Sequence, residues 1–282
     1  MKTLRIGPSL LLGLVAGCVG DAPAASLPDA GAGDGSPLDG STQDVSAADA
    51  PVDAPVDAPV TFCSNSKHAF CADFDSVTKV DQGWNGALLQ NGGTLALDPG
   101  MYASKPTSLN CTLPAVSGNA LPEVAFLGKT IPVQPTQRSL HLELDMRHAV
   151  GATVPAPASL HFFGAYLNDI SLVFLLVDST GWHVLVRPSS NSGDSVYPCS
   201  PVPNTGWVHL ALDVVFASGT GGSVKLDATS EAGVVTLFNK TGFETSKEPT
   251  AQVMDLNIGT VQSGDPSPMF IVHFDNVVAD VQ

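Results

Sequence analysis

From Phe62 onward this chain predicts an all-β fold, a two-sheet antiparallel sandwich, and three observations point to it. Short runs of β-branched or alternating residues recur along the chain. Clusters of Gly, Asn, Asp, Ser and Pro such as "NGG", "DPG", "NSGD" and "GTGG" punctuate them. No stretch carries the 3.6-residue periodicity of an amphipathic helix. Residues 62–282 are enough for one domain with a sizeable core.

The runs can be taken in order. "FCADFDS" and "TLALD" open the domain, and "SLHLELDMR" follows with Leu142, Leu144 and Met146 on one side and His141, Glu143, Asp145 and Arg147 on the other. Such alternation predicts a strand with one face in the core and one polar face. "SLHFFGAYL" comes next. "SLVFLLVD" is apolar on both faces, which predicts a central strand, since so short a run cannot span a bilayer. "GWHVLVR", "GWVHLALDVVF", "GSVKLDAT", "GVVTLF" and the closing "MFIVHFDNVVADV" complete the series.

The segment before Phe62 has a different character. Lys2 and Arg5 precede the apolar run "IGPSLLLGLVAG", which ends at Cys18 and has the length of a secretory leader rather than a spanning helix. "LVAGC" resembles the lipobox of bacterial lipoproteins. The resemblance implies a signal peptide over residues 1–17, lipid attachment at Cys18 and a cell-envelope location. With Val19 rather than Asp after the cysteine, the sorting rule of enteric bacteria favours the outer membrane. Residues 18–61 hold eight aspartates and no Lys or Arg, and end in "DAPVDAPVDAPV". That composition predicts a disordered linker, extended by proline and by like charge to a reach on the order of 100 Å.

Charge narrows the partners. Of 27 acidic residues eight fall in the linker, and of 12 basic residues two fall in the leader, leaving 19 against 10 in residues 62–282. Nucleic acid and anionic lipid surfaces are therefore poor candidates. There is no P-loop, no dinucleotide fingerprint and no Cys/His spacing suited to zinc. Four cysteines remain beyond Cys18, an even number that predicts two disulfides in an oxidising compartment. Of three possible pairings, Cys63 with Cys71 and Cys111 with Cys199 is favoured, closing a short and a long loop worth ~3 and ~4.5 kcal/mol.

Both ends of the domain carry a family resemblance. "FCADFDS" with Gly83 and Trp84 after it, "GWVHLALDV", and "HFDNVVADV" resemble strands of concanavalin A-like lectin/glucanase jelly rolls of the laminin-G-like kind. The resemblance implies a jelly-roll topology, polysaccharide binding on one sheet face, and in some members a structural calcium where the first and last strands meet. Asp73, Asp75 and Asp275 are the matching oxygen ligands for such a hard cation. Laminarinase-type glucanases of this fold carry Glu-x-Asp-x-Glu or a one-residue-longer form. Glu143 and Asp145 match its first two positions, but the third is Arg147 or His148. Arginine can neither give nor take the proton that retaining hydrolysis requires, and His148 has the wrong strand parity. Arg147 is instead expected to pair with Asp145.

Carbohydrate sites combine aromatic planes with paired donors and acceptors. Trp84, Trp182 and Trp207 each follow a glycine at a strand start, where they either rim a groove or close a core. His183 shares a strand face with Arg187, as His209 does with Asp213. With His141, Glu143, Asp145 and Arg147 these are expected to line one charged sheet surface. Three functions compete on this reading: a surface-displayed carbohydrate-binding or adhesion module, a structural envelope protein contacting another protein, and a glycoside hydrolase or polysaccharide lyase. The first is favoured.

Overall fold

The structure, a computed structural model, describes residues 62–64, 66–115, 122–151, 153–264 and 268–282. Cys18 and the expected linker lie outside the described residues. Fifteen strands form: β1 (Phe70–Ala72), β2 (Gly86–Gln90), β3 (Thr94–Asp98), β4 (Ser108–Leu113), β5 (Glu123–Pro132), β6 (Ser139–His148), β7 (Ser159–Leu167) and β8 (Ser171–Asp178). The remainder are β9 (Gly181–Arg187), β10 (Ser195–Pro198), β11 (Val208–Val215), β12 (Gly222–Ser230), β13 (Gly233–Phe243), β14 (Val253–Ser263) and β15 (Phe270–Val281).

These strands build two wholly antiparallel sheets. Sheet I has eight strands in the order β13-β12-β11-β6-β15-β4-β3, with β1 added on β15. Sheet II has seven in the order β10-β9-β8-β7-β14-β5-β2. The first and last strands meet, Phe70 lying opposite Ala279. The expected two-sheet sandwich is therefore the observed fold.

Alternation explains the core. On β6, Leu140, Leu142, Leu144 and Met146 are all buried, worth roughly 1.5–3 kcal/mol apiece, while the residues between them face outward. β8 is apolar on both sides, as its sequence predicts. Val173, Leu175 and Val177 enter the main core, and Leu172, Phe174 and Leu176 join a second buried cluster on the outward face of sheet II. Trp182 stacks on Phe162 at 5.0 Å, and Trp84 stacks on Phe74 at 6.2 Å, so both close the core. Trp207 alone among the three is half-buried on an outward face.

Among the described residues one bridge forms, between Cys63 and Cys71. The second expected bridge does not, and Cys111 and Cys199 are free thiols. Cys111 is in β4 of sheet I, which packs near β14 and β5, whereas Cys199 follows β10 at the far edge of sheet II. Four strand spacings, roughly 20 Å, separate β10 from β14, far beyond the reach of a disulfide. Burial pushes the Cys199 thiol up to about 12 and raises that of Cys111 well above its ordinary value, so both are poor nucleophiles.

Candidate functional site

The polar residues of β6 meet those of β11 and β15 on the outward face of sheet I. Register places Asp145 opposite His209, and His141 opposite Asp213. The result is a chain of alternating acids and imidazoles. Asp213 Oδ1 lies 2.6 Å from His141 Nδ1, and His141 Nε2 lies 2.8 Å from Glu143 Oε1. Glu143 Oε2 is 3.7 Å from His209 Nε2, and His209 Nδ1 is 3.0 Å from Asp145 Oδ1. Asn276 Nδ2 closes the chain by donating to Asp145 Oδ2 at 2.7 Å.

A carboxylate only accepts, so an imidazole with a carboxylate at each nitrogen satisfies both by carrying both protons. Burial opposes that charge on His141, but hydrogen bonds to Asp213 and Glu143 outweigh it and raise its pKa. For His209 the bond to Asp145 is the largest cause of a shift in the same direction. The carboxylates compensate the imidazoliums on a half-exposed surface. His148 faces the core between Phe162 and Trp182, as strand parity requires.

Two expectations for this face are corrected. Arg147 does not pair with Asp145, whose oxygens are taken by His209 and Asn276; among the described residues the Arg147 side chain has no hydrogen bond or ion pair. His183 and Arg187 do not join the surface either. They lie on β9 in sheet II, and face outward on the opposite side of the sandwich, His183 against Asp178 and Arg187 in a forked pair with Asp194 at 2.5 and 2.8 Å. Parity within a strand predicted which residues share a face but not which sheet the strand joins.

The three aspartates matched to calcium do come together, through a bulge in β15 after Asp275. Asp73 accepts from the Cys63 and Asp75 amides, Asp75 from the Thr107 amide and Ser104 hydroxyl, and Asp275 from the Ala103, Ser104 and Asn276 amides. Burial pushes Asp275 up to about 7 against the pull of those donors, and Asp75 is raised for the same reason. The carboxylate oxygens face the chain's own donors, and among the described residues no group of three or more His, Cys, Asp or Glu is arranged to hold a metal ion. This donor set does not fit a calcium cage. It fits a clasp that fastens residues 103–107 to β15.

The outward face of sheet II was not anticipated, and it has a different composition. Phe126 of β5 and Phe174 of β8 lie 6.2 Å apart, and two glycines make room for them. A Cβ on Gly164 would sit 2.5 Å from the Phe174 ring and 2.3 Å from the Val173 carbonyl. Gly259, at φ +145°, passes beneath Phe126 in the same way. Bulges in β7 after His161 and in β14 after Ile258 bring polar groups around this floor. His161 and Tyr166 flank Phe174, with ring centroids at 6.3 and 5.4 Å, and Tyr166 bonds the Asn257 side chain. Asp255 accepts from the Thr130 hydroxyl at 2.5 Å.

Desolvation dominates these groups. It lowers His161 to about 4, lifts Tyr166 to about 12 and raises Asp255 to about 6. At neutral pH the face therefore presents a neutral imidazole, a phenol and an amide beside aromatic rings. Strongly shifted groups gathered on one surface single this face out as a functional-site candidate. Sequence parity missed it because the bulge between His161 and Gly164 breaks the alternation of "SLHFFGAYL". The outward Phe174 in a strand apolar on both faces was the available signal.

No family model matches the chain, and no curated protein matches it. Solved structures do. The endo-β-1,4-glucuronan lyase of the fungus Trichoderma reesei is 13% identical, covering 76% of this chain and 95% of its own, with a TM-score of 0.58. The alginate lyase of Aplysia kurodai is 10% identical, covering 77% of this chain and 100% of its own, with a TM-score of 0.57. At such identities the likeness is one of fold, and it agrees with a concanavalin A-like jelly roll.

Proposed function

We propose that this domain is a carbohydrate-binding module that takes polysaccharide on the outward face of sheet II, and that Cys18 tethers it by lipid to the cell envelope. The observation that carries the reading is the floor of Phe126 and Phe174 beside half-buried His161, Tyr166 and Asn257, all uncharged at neutral pH. A sugar ring offers an apolar face to aromatic planes and hydroxyls to such donors and acceptors. Two solved structures of the same fold bear names of polysaccharide lyases, which supports a glycan as the ligand class. Titration calorimetry with a panel of polysaccharide fragments tests it. Binding should weaken about tenfold in Tyr166→Phe and in Asn257→Ala, and silence across the panel would count against the reading.

A second reading has one observation in its favour. His161, neutral, can accept a proton, and Tyr166, protonated, can give one, on the same face of one strand. That is the equipment for β-elimination in a uronate polysaccharide, where a base removes the proton beside the carboxylate and an acid protonates the departing oxygen. Incubation with alginate or glucuronan would then release ends that carry an ultraviolet-absorbing double bond, and His161→Gln would abolish the release. No absorbance change with the unaltered chain rejects catalysis and leaves binding standing.

A further inference from the structure

We infer that the outward face of sheet I carries a separate site for a carboxylated sugar, centred on Arg147 and Trp207. The ionisable groups beside it are otherwise paired: His209 with Asp145, and His273 with Asp98. Arg147 stands outside these pairs, with no partner among the described residues. A guanidinium presents donors in a fixed fork that matches a carboxylate in a bidentate pair.

Local geometry supplies the rest of a sugar site. Arg147 lies opposite His273 on β15, and on its other side the β6–β11 ladder ends one residue earlier, at Met146 opposite Val208, which sets Trp207 beside Arg147. Trp207 and His273 approach across this position, ring centroids 6.4 Å apart and nearly perpendicular. His273 is pinned through Nε2, which donates to Asp98 at 3.0 Å, so Trp207 meets a fixed neighbour. Ile271, 40% exposed two residues before His273, and Met269, 57% exposed, extend the apolar side of the patch. An indole plane, an uncommitted guanidinium and apolar surface together suit a ring with one carboxylate on its edge. With 19 acidic against 10 basic residues over 62–282, the domain's field repels long polyanions. The occupant is therefore a short uronate segment or a chain end.

This site lies across the sandwich from the sheet II face, and the two are tested apart. Trp84 and Trp182 are buried at 9% and 2% exposure, so quenching of tryptophan fluorescence by a ligand at the surface reports Trp207. The full chain is titrated with a uronate trisaccharide, with its methyl ester and with a neutral glucan trisaccharide. The acid should quench and bind, and esterification should cost about tenfold or more. Arg147→Gln should cost as much, Arg147→Lys should recover part, and Trp207→Phe should remove the quench. The Trp207 quench, and its loss on esterification, should persist in Tyr166→Phe, which lies on the opposite face. Absence of binding by the acid, indifference to esterification, or equal binding by Arg147→Gln each overturns the proposal. Binding that survives Arg147→Gln but falls in Tyr166→Phe would assign the ligand to sheet II, supporting that site while removing this one.

Discussion

The two outward faces of the sandwich solve the same electrostatic problem in opposite ways. On sheet I, acids and imidazoles alternate in contact from Asp213 through His141, Glu143 and His209 to Asp145, which favours the charged form of both histidines. On sheet II, His161, Tyr166 and Asp255 sit among Phe126, Phe174, Leu172 and Leu176, and His161 and Tyr166 remain uncharged at neutral pH. Pairing works where water still reaches the groups, because each ion needs little from its partner. Neutralisation by desolvation takes over where an aromatic floor excludes water. Exposure, more than residue type, decides which solution a histidine adopts here.

The largest expected effect tests the floor itself. Gly164→Val forces a side chain into the Phe174 ring and the Val173 carbonyl. The cost should be roughly 3 kcal/mol or more, since backbone cannot yield as a flexible side-chain end can. Urea unfolding measures it, and a loss under about 1 kcal/mol would mean that the floor is not packed as described.

Acid titration gives an intermediate effect with opposite signs on different histidines. His148 in the core and His161 on sheet II have native values of about 4, below the ordinary 6.5, so the unfolded chain binds protons first. Their contribution is present at neutral pH and is lost as pH falls from about 6.5 to about 4, on the order of 3 kcal/mol for buried His148. His141 and His209 are raised, so theirs is complete below about 6.5 and is lost as pH rises through their native values. The raised carboxyls Asp255 and Asp275 tilt the global curve against the buried histidines, which makes residue-by-residue NMR titration the right measurement. A midpoint near 6.5 for His161 would erase the contrast between the faces.

The smallest effect belongs to the pairs. Glu143→Gln breaks contacts to two half-exposed histidines and should cost at most about 1 kcal/mol in urea unfolding. Neither this variant nor the unaltered chain is expected to degrade laminarin. Glucanase activity that vanishes in this variant would restore the catalytic motif that Arg147 interrupts.

These contrasts also mark what sequence can and cannot reveal. β6 to β9 were legible because alternation or a doubly apolar run needs only local information. β5 and β14, which sit side by side in sheet II, are interrupted by Gly128 and Lys129 and by Asp255, Asn257 and Gly259. The outward Asp255, Asn257 and Gly259 belong to the site, so the site blurred the strands that build it. The pairing of Cys63 with Cys71 was legible from their nearness in sequence. An even count could not reveal that Cys111 and Cys199 end on different sheets.

The bridge at the start of the domain has a mechanical consequence. Chain arriving from the N-terminal side reaches Cys63 before β1, and the sulfur link passes any pull directly to Cys71, inside β1 and opposite Val278. The eight-residue separation between the cysteines cannot be drawn out as slack. A pull on Cys63 loads a three-residue strand on β15, which is itself zipped to β6 and β4 in the middle of sheet I. The bridge thus welds the start of the domain to a middle strand of sheet I, and a force applied at Cys63 is borne by the sheet instead of a loop.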